Sequence, residues 1–191
     1  MIYIGSGIIA IVFFIFQMVV LAVDIDIGSA AIDRGETLVS GYTLIEKNNP
    51  ANASGIITSV EIWANATLIN CEVATFYVES GNYLSTRDYE YIGSVTAGAK
   101  RTFTVDLDVK TGDYIGLYYS DGSLDGDAFG DGRWYFGADR IPCENMIFSS
   151  LSSKTQSLYG TGVKVGWAHK WNTKEISKWD TKEIMKWNDL E

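Results

Sequence analysis

Hydrophobic and polar residues alternate along much of the chain, and the alternation is clearest between residues 102 and 109. The apolar positions of this run are Phe103, Val105, Leu107 and Val109, separated by threonine and aspartate. Successive side chains of a β-strand point to opposite faces, so this period of two predicts a half-buried antiparallel strand. Residues 111–113, Thr-Gly-Asp, predict a turn. A second inward-facing set then follows, formed by Ile115, Leu117 and Tyr119.

The same alternation extends over residues 23–166. Between residues 56 and 64 it places one set of side chains on one face, Ile56, Thr58, Val60, Ile62 and Ala64, and Ile57, Ser59, Glu61 and Trp63 on the other. Further strand-like stretches cover residues 23–27, 38–46, 72–79, 133–137, 144–149 and 157–165. Turn-forming pairs separate them, and no helical period lies between them. About nine short strands predict an all-β fold, an antiparallel β-sandwich or jelly roll.

The first 23 residues carry no charged side chain. As a helix they would reach about 34 Å, which is enough to cross a bilayer. Residues 1–22 are therefore predicted to be an apolar export signal or membrane anchor, which makes a membrane one expected partner. The positively charged start of a secretory signal is absent, and a core helix is the alternative. This segment predicts an extracytoplasmic protein, secreted or membrane-anchored.

An eight-residue repeat occupies the C-terminal segment, residues 167–191. It reads KWNTKEIS from residue 170, KWDTKEIM from residue 178, and KWN from residue 186. An eight-residue step rotates a helix about 80° past two full turns, so the tryptophans would not form an apolar stripe. Short strands joined by turns fit better, and we expect residues 170–191 to assemble with other subunits or with another copy of the chain. A poorly ordered tail is the alternative.

The charge distribution excludes one class of partner. The net charge is −9, and residues 24–165 carry all of that excess, with nineteen Asp and Glu against ten Lys and Arg. Such an acidic body repels phosphate backbones, so we expect no nucleic-acid binding. The two cysteines, Cys71 and Cys143, lack the close spacing of a zinc or redox motif. One disulfide or two buried free thiols are the alternatives.

An acidic segment between residues 121 and 131 is the candidate metal site. Oxygen-bearing side chains followed by glycine resemble the first half of a calcium-binding loop. An EF-hand needs a bidentate glutamate at position 12 of the loop. Counted from Asp121, that position is Gly132. Calcium is therefore the only cofactor that the sequence suggests, and a solvated acidic turn is the alternative. The candidate ligands are Asp121, Ser123, Asp125, Asp127 and Asp131.

Aromatic residues next to this segment predict a sugar-binding surface, because aromatic rings stack on pyranose faces. Alternation places Trp134 and Phe136 on one face of their strand and Tyr135 on the other, so one set is expected in the core. The candidate ligand-binding residues for a glycan or cell surface are Trp134, Tyr135, Tyr119, Glu61 and Trp63. Core packing, or a surface pair in the case of Glu61 and Trp63, is the alternative.

Catalysis has little support in the sequence. The only histidine is His169, which lies beside the repeats, so no histidine-based triad can form inside the predicted sandwich. A glycoside hydrolase needs only two carboxylates, and Glu61 with Glu72 would be a candidate pair from adjacent strands. Such pairs arise easily by chance in so acidic a chain. We therefore expect a protein that is not an enzyme.

The region from Asp24 to about Gly162 also resembles a known family. Its specific phrases are DIDIGSAAIDRGETLVSGYTLIEKNNPANASGIITSVEIWAN, NCEVATFYVESGN, YIGSVTAGAKRTFTVDLDVKTGDYIGLYYSDG and YGTG. They resemble an uncharacterised β-sandwich domain of environmental and phage-type sequences that occurs on tail-associated and other surface proteins. The C-terminal repeats resemble the linkers that trail such domains. The resemblance implies a structural or adhesive module, with the virion surface as an alternative location, and it implies no ligand or catalytic residue.

Overall fold

The computed structural model describes residues 24–164, which form an all-β structure. Strands make up 64% of these residues and none of them is helical, so the predicted all-β class is confirmed. The strands are β1 (Asp24–Gly28), β2 (Glu36–Val39), β3 (Thr43–Glu46), β4 (Gly55–Ser80), β5 (Tyr83–Val95), β6 (Lys100–Val109), β7 (Tyr114–Tyr118), β8 (Asp121–Asp127), β9 (Arg133–Phe136), β10 (Met146–Ile147), β11 (Ser149–Leu151), β12 (Thr155–Gln156) and β13 (Leu158–Val163).

The predicted N-terminal helix, residues 1–22, and the repeats, residues 167–191, lie outside the described residues. Within residues 24–164, no helix has the length and apolarity that a membrane crossing requires.

All thirteen described strands belong to one hydrogen-bonded sheet, and β4 holds it together. The first part of β4, residues 55–63, pairs with β6 on one side, and with β13 on the other. Residues 64–69 pair with β8, residues 68–80 pair with β5, and residues 72–76 also pair with β7 on their other side. Every pairing is antiparallel. One strand of 26 residues therefore contributes to three consecutive sections of the sheet.

The remaining strands extend these sections outward. In the first section, β1 pairs with β13. In the middle section, β8 also pairs with β2 and β12. In the third section, β7 continues to β3, β9 and β11, while β10 pairs with the start of β5.

The largest apolar cluster joins side chains from the first and third sections. Around Gly160 in β13, a Cβ atom would lie 2.8 Å from Ile27 and 3.1 Å from Ile115, which belong to β1 and β7. Ile57 of β4 closes the same point, at 3.2 Å. All three isoleucines are fully buried. The absence of a side chain at Gly160 therefore lets the inner surfaces of the two sections meet.

A second apolar cluster lies on the other surface of the third section. Its largest members pack edge to face: the rings of Phe76 and Phe148 are 6.3 Å apart, and those of Tyr114 and Trp134 are 4.9 Å apart. Such pairs add about 0.5–1.5 kcal/mol beyond their buried area. The third section is therefore covered on both surfaces, which explains why all four residues of β3 are buried.

The alternation pattern predicted two strands correctly and a third in part: Val60, Ile62 and Ala64 share a buried face as expected, whereas residues 56–58 are out of phase with them. Residues 103–109 and 115–119 turn their predicted sets inward, and the Asp113 N–H donates to the Lys110 carbonyl at 2.9 Å to close the predicted turn. In the third strand, Ile57 is fully buried and Thr58 is exposed. The register against β6 shifts between Ile57 and Ser59, and this irregularity changes which face the following residues occupy.

The prediction of about nine short strands was also wrong. The stretches at residues 56–64 and 72–79 are parts of β4, and the predicted 38–46 stretch is split between β2 and β3. Between these two predicted stretches, β4 continues through residues 65–70 with register shifts against β8.

We expect Gly122→Ala to destabilise the fold more than Gly98→Ala. Both glycines have positive φ, +98° and +78°, where alanine is strained by about 1–3 kcal/mol. A Cβ on Gly122 would in addition overlap the Thr67 carbonyl of β4, whereas nothing lies within 4 Å of one on Gly98. Overpacking adds about 1–3 kcal/mol. Urea denaturation measures both changes, and equal losses would contradict the close approach of β8 to β4.

Candidate functional site

The segment predicted as a calcium loop is strand β8. Residues 121–127 pair with β2 on one side, and with β4 and β12 on the other. Asp121 is exposed, Ser123 and Asp125 are buried, and Asp131 lies exposed in the connection to β9. An extended strand spaces its side chains along a line and does not wrap them around an ion. The loop geometry expected from the sequence was therefore wrong.

Arg34 forms an ion pair at the C-terminal end of this strand. Arg34 Nη1 donates to Asp127 Oδ2 at 2.6 Å, and the Arg34 N–H lies 3.4 Å from Asp125 Oδ2. The hydrogen bond from Arg34 lowers the pKa of Asp127, while burial raises that of Asp125. Arg34 Nε also bonds the Ser157 hydroxyl at 2.9 Å. Within residues 24–164, no three acidic, cysteine or histidine side chains lie close enough together to hold a metal ion.

Both cysteines are free thiols. Cys71 is fully buried in the larger apolar cluster, and burial raises the pKa of its thiol to about 12. Cys143 packs against the second cluster and receives a hydrogen bond from the Thr86 hydroxyl at 3.6 Å. The sheet therefore separates the two residues, and the disulfide alternative is not formed.

Two of the predicted ligand-binding aromatic residues belong to the core. Tyr119 is fully buried, its hydroxyl donates to the Leu38 carbonyl at 2.7 Å, and burial raises its pKa. Trp134 is 7% exposed and its Nε1 donates to Asn82 Oδ1 at 2.9 Å. Neither residue presents a free ring face to a ligand. Tyr135, on the opposite face of β9 from Trp134, remains half-exposed.

The predicted pair on β4 lies apart from these aromatic residues. Glu61 and Trp63 are half-buried on the first section, and Lys100 Nζ binds Glu61 Oε1 at 2.8 Å. Glu72 lies in the third section, on the same strand as Glu61 and eleven positions further along. At about 3.3 Å per residue this is about 36 Å of strand, whereas paired glycosidase carboxylates are about 5–10 Å apart. The expectation of adjacent strands was wrong.

The described residues form an open cleft of about 290 Å³ where β2 meets the edge of the third section. Its walls come from β2, β3, β9 and β11 and from the connection that precedes β3. They are Thr37, Leu38, Val39, Tyr42, Leu44, Arg133, Tyr135 and Leu151. Of the residues predicted to bind a ligand, only Tyr135 is among them.

Tyrosine rings form one side of the cleft. Tyr42 and Tyr135 are both half-exposed, with ring centroids 6.3 Å apart and planes tilted by 51°. The opposite side is the end of β2, where Val39 is 65% exposed. Tyr119 positions that strand from below, because its hydroxyl lies within hydrogen-bond distance of the Leu38 and Val39 carbonyls. Tyr119 thus supports the cleft without lining it.

Arg133 is the only charged residue that lines the described cleft. It is 7% exposed, its Nη1 is buried without a hydrogen-bond partner, and its guanidinium forms no ion pair with another described residue. Glu46 lies directly opposite Arg133 in the β3–β9 ladder and is fully buried. Its carboxylate oxygens are used elsewhere, because Oε2 accepts from the Gln156 N–H at 2.6 Å and Oε1 from the Asn48 N–H at 3.1 Å.

Burial is the main cause of the pKa shifts of Glu46 and Arg133. Desolvation raises the pKa of Glu46 to about 7, against the hydrogen bonds from Gln156 and Asn48 and the charge of Arg133, which lower it. Desolvation also lowers the pKa of Arg133, although it stays a cation. Near neutral pH the charge of Arg133 is therefore only partly compensated by Glu46.

Sequence reasoning missed Arg133, Tyr42 and Glu46. Glu46 ends the apolar run Thr-Leu-Ile-Glu, and Arg133 begins the run Arg-Trp-Tyr-Phe. The sequence signal for both residues was a charged side chain at the end of an apolar run that was predicted to be a buried strand. That the two residues are opposite one another depends on the pairing of β3 with β9, which are about 90 residues apart and share no local motif.

No known family model matches the chain, and no curated protein matches it.

The raised pKa of Glu46 predicts a pH-dependent stability. Its carboxyl binds a proton more tightly in the folded state, with a pKa of about 7, than at its ordinary value of 4.5. The stability that it contributes is fully present below about pH 4.5 and is lost as the pH rises through about 7. The loss amounts to roughly 3 kcal/mol.

Urea denaturation of wild type and Glu46→Gln between pH 4.5 and 8 measures this effect. The wild type is expected to lose free energy of unfolding relative to the variant as the pH rises. A difference that stays constant over this range would mean that the carboxyl titrates at its ordinary pKa.

Proposed function

We propose that the described domain is a non-catalytic binding module of a surface- or particle-associated protein, and that its cleft holds a saccharide. The observation that carries the proposal is the pair of half-exposed rings, Tyr42 and Tyr135, beside an open cleft with one unpaired polar group. Aromatic faces supply apolar contact area at low entropic cost, and a few placed polar groups fix orientation.

The chemistry of the cleft supports binding in preference to catalysis. Glu46 is the acidic group with a pKa near neutrality, a value often found in active sites. However, it is fully enclosed and both of its oxygens accept hydrogen bonds from the protein. Such a carboxylate touches no bound molecule. No carboxylate, histidine or cysteine side chain lines the described cleft beside Arg133, which favours ligand binding over catalysis.

We propose a sandwich for the overall arrangement, in which the first and third sections stack through the larger cluster. The side chains of Ile27, Ile57 and Ile115, which surround Gly160 within the larger apolar cluster, support this arrangement. It would leave the cleft at one edge of the stack, where β2 approaches β3 and β9. Loops and edges of sandwiches are the usual positions for ligand sites in this architecture.

The surface or particle location rests on the sequence resemblance and on the apolar N-terminal segment. Assembly through residues 170–191 remains a prediction, because these residues lie outside the described part of the chain. A virion surface and a cell surface both fit the proposed role, since each displays binding modules to external glycans.

We expect Tyr135→Ala to weaken saccharide binding by roughly tenfold, which corresponds to about 1.4 kcal/mol. The variant removes a ring from the wall of the cleft while leaving the backbone of β9 paired. A glycan array with the labelled full-length chain identifies a binding saccharide, and calorimetry with that saccharide measures the affinity.

Tyr89→Ala is the matched control. Tyr89 is 49% exposed on β5 and does not line the cleft, so its removal deletes the same type of ring elsewhere. The control should bind as the wild type does. Equal losses in both variants, or no binding to any glycan of the array, would reject the proposed function.

A further inference from the structure

Arg133 lines the cleft, and one nitrogen of its guanidinium has no hydrogen-bond partner among the described residues. Its Nη1 is buried and unbonded, and within residues 24–164 its guanidinium is in no ion pair. Leaving a buried donor atom of a charged group unsatisfied is unfavourable in free energy, because the atom has lost its water without gaining an acceptor. A bound molecule with an anionic oxygen at this wall of the cleft would recover part of that free energy.

The residues around Arg133 do not supply this oxygen. Glu46 lies opposite it, but its two oxygens accept from the backbone of Gln156 and Asn48. Glu36 also acts on Arg133 electrostatically, but its carboxylate binds Lys154 Nζ at 2.9 Å and 3.2 Å. Both neighbouring acids are therefore held by other partners.

We propose that the saccharide bound in this cleft is acidic, and that Arg133 pairs with the carboxylate of a uronic acid residue. This inference rests on the proposed function. A planar carboxylate matches the fork of a guanidinium and forms two parallel hydrogen bonds with it. Tyr42 and Tyr135 flank the same space and would contact the sugar ring. One arginine fits one carboxylate.

The net negative charge of the domain further limits the class of ligand that the cleft can bind. Residues 24–165 carry nine more acidic than basic side chains, and Glu46 and Glu36 lie near the site. A doubly charged phosphate or a densely sulfated chain would be repelled more strongly than a single carboxylate. Repulsion from more distant acids is screened at physiological salt over about 8 Å. The cleft therefore favours a uronic acid, with one carboxylate per sugar ring, over phosphate groups and densely sulfated chains.

The test compares acidic oligosaccharides with their methyl esters, which keep the ring and remove the charge. Tri-galacturonate, tri-glucuronate and tri-mannuronate are each titrated into the full-length protein by calorimetry, alongside the matching ester and a neutral trisaccharide. At least one acid is expected to bind about tenfold more tightly than its ester. Raising the salt from 0.15 to 1 M should reduce that preference severalfold, a measurement that needs no variant.

Arg133→Gln should abolish the preference for the acid over its ester. Arg133→Lys keeps the positive charge but not the planar guanidinium, so it should keep only part of the preference for the acid. Thermal melting of both variants checks that they fold. Equal binding of acid and ester by the wild type would overturn the acidic-ligand proposal while leaving saccharide binding intact. A heparin oligosaccharide that binds more tightly than every uronate would also overturn it. Absence of binding to every saccharide would reject both proposals.

Discussion

The structure depends on one strand that has to serve three sections of sheet in succession. At about 3.3 Å per residue, the 26 residues of β4 would extend for about 85 Å if straight. Strands in globular proteins usually have about 5–6 residues, since a longer one outruns a single core. In β4 the register shifts at several points, including Ile57/Ser59, Ala64/Ala66 and Thr75/Phe76. Such irregularities bend a strand and change the face that its side chains occupy.

This constraint explains where the cleft lies. β8 pairs with the irregular middle of β4 and carries β2 on its other side, so β2 is brought up to the edge of β3, β9 and β11. Tyr119, directly after β7, fixes the distance through the hydrogen bond that its hydroxyl donates to the Leu38 carbonyl of β2. The cleft is thus the gap that remains between the middle and third sections.

The buried polar groups beside the cleft lower the stability of the folded domain. Glu46 and Arg133 are opposite one another, yet the Glu46 oxygens accept from Gln156 and Asn48, while Arg133 Nη1 and Gln156 Oε1 are buried without a hydrogen-bond partner among residues 24–164. A hydrophobic pair of similar volume would often be at least as stable at these positions. Retention of a buried, unbonded cation at the wall of a cleft is the feature that links the packing of this domain to the proposed recognition of an acidic sugar.

The acidic segment 121–127 shows how far local sequence signals reach. Its alternating oxygen side chains and glycines are typical of a calcium loop, but the same alternation also suits a strand. The segment forms a strand because it pairs with β2 and β4. Arg34, which is distant in sequence, forms an ion pair with Asp127. The aromatic run 134–136 was more informative, because alternation alone separated the buried Trp134 from the half-exposed Tyr135.

The sequence by itself determined the all-β class, the strand at residues 103–109, the inward set at 115–119 and the turn between them. These follow from a period of two and from turn residues, which act between neighbours in the chain. The tertiary structure alone decided that residues 55–80 form one strand, that the cysteines lie in separate clusters, and that Glu46 meets Arg133. Those outcomes depend on which distant strands pair and in which register, and no local pattern specifies a pairing between segments tens of residues apart.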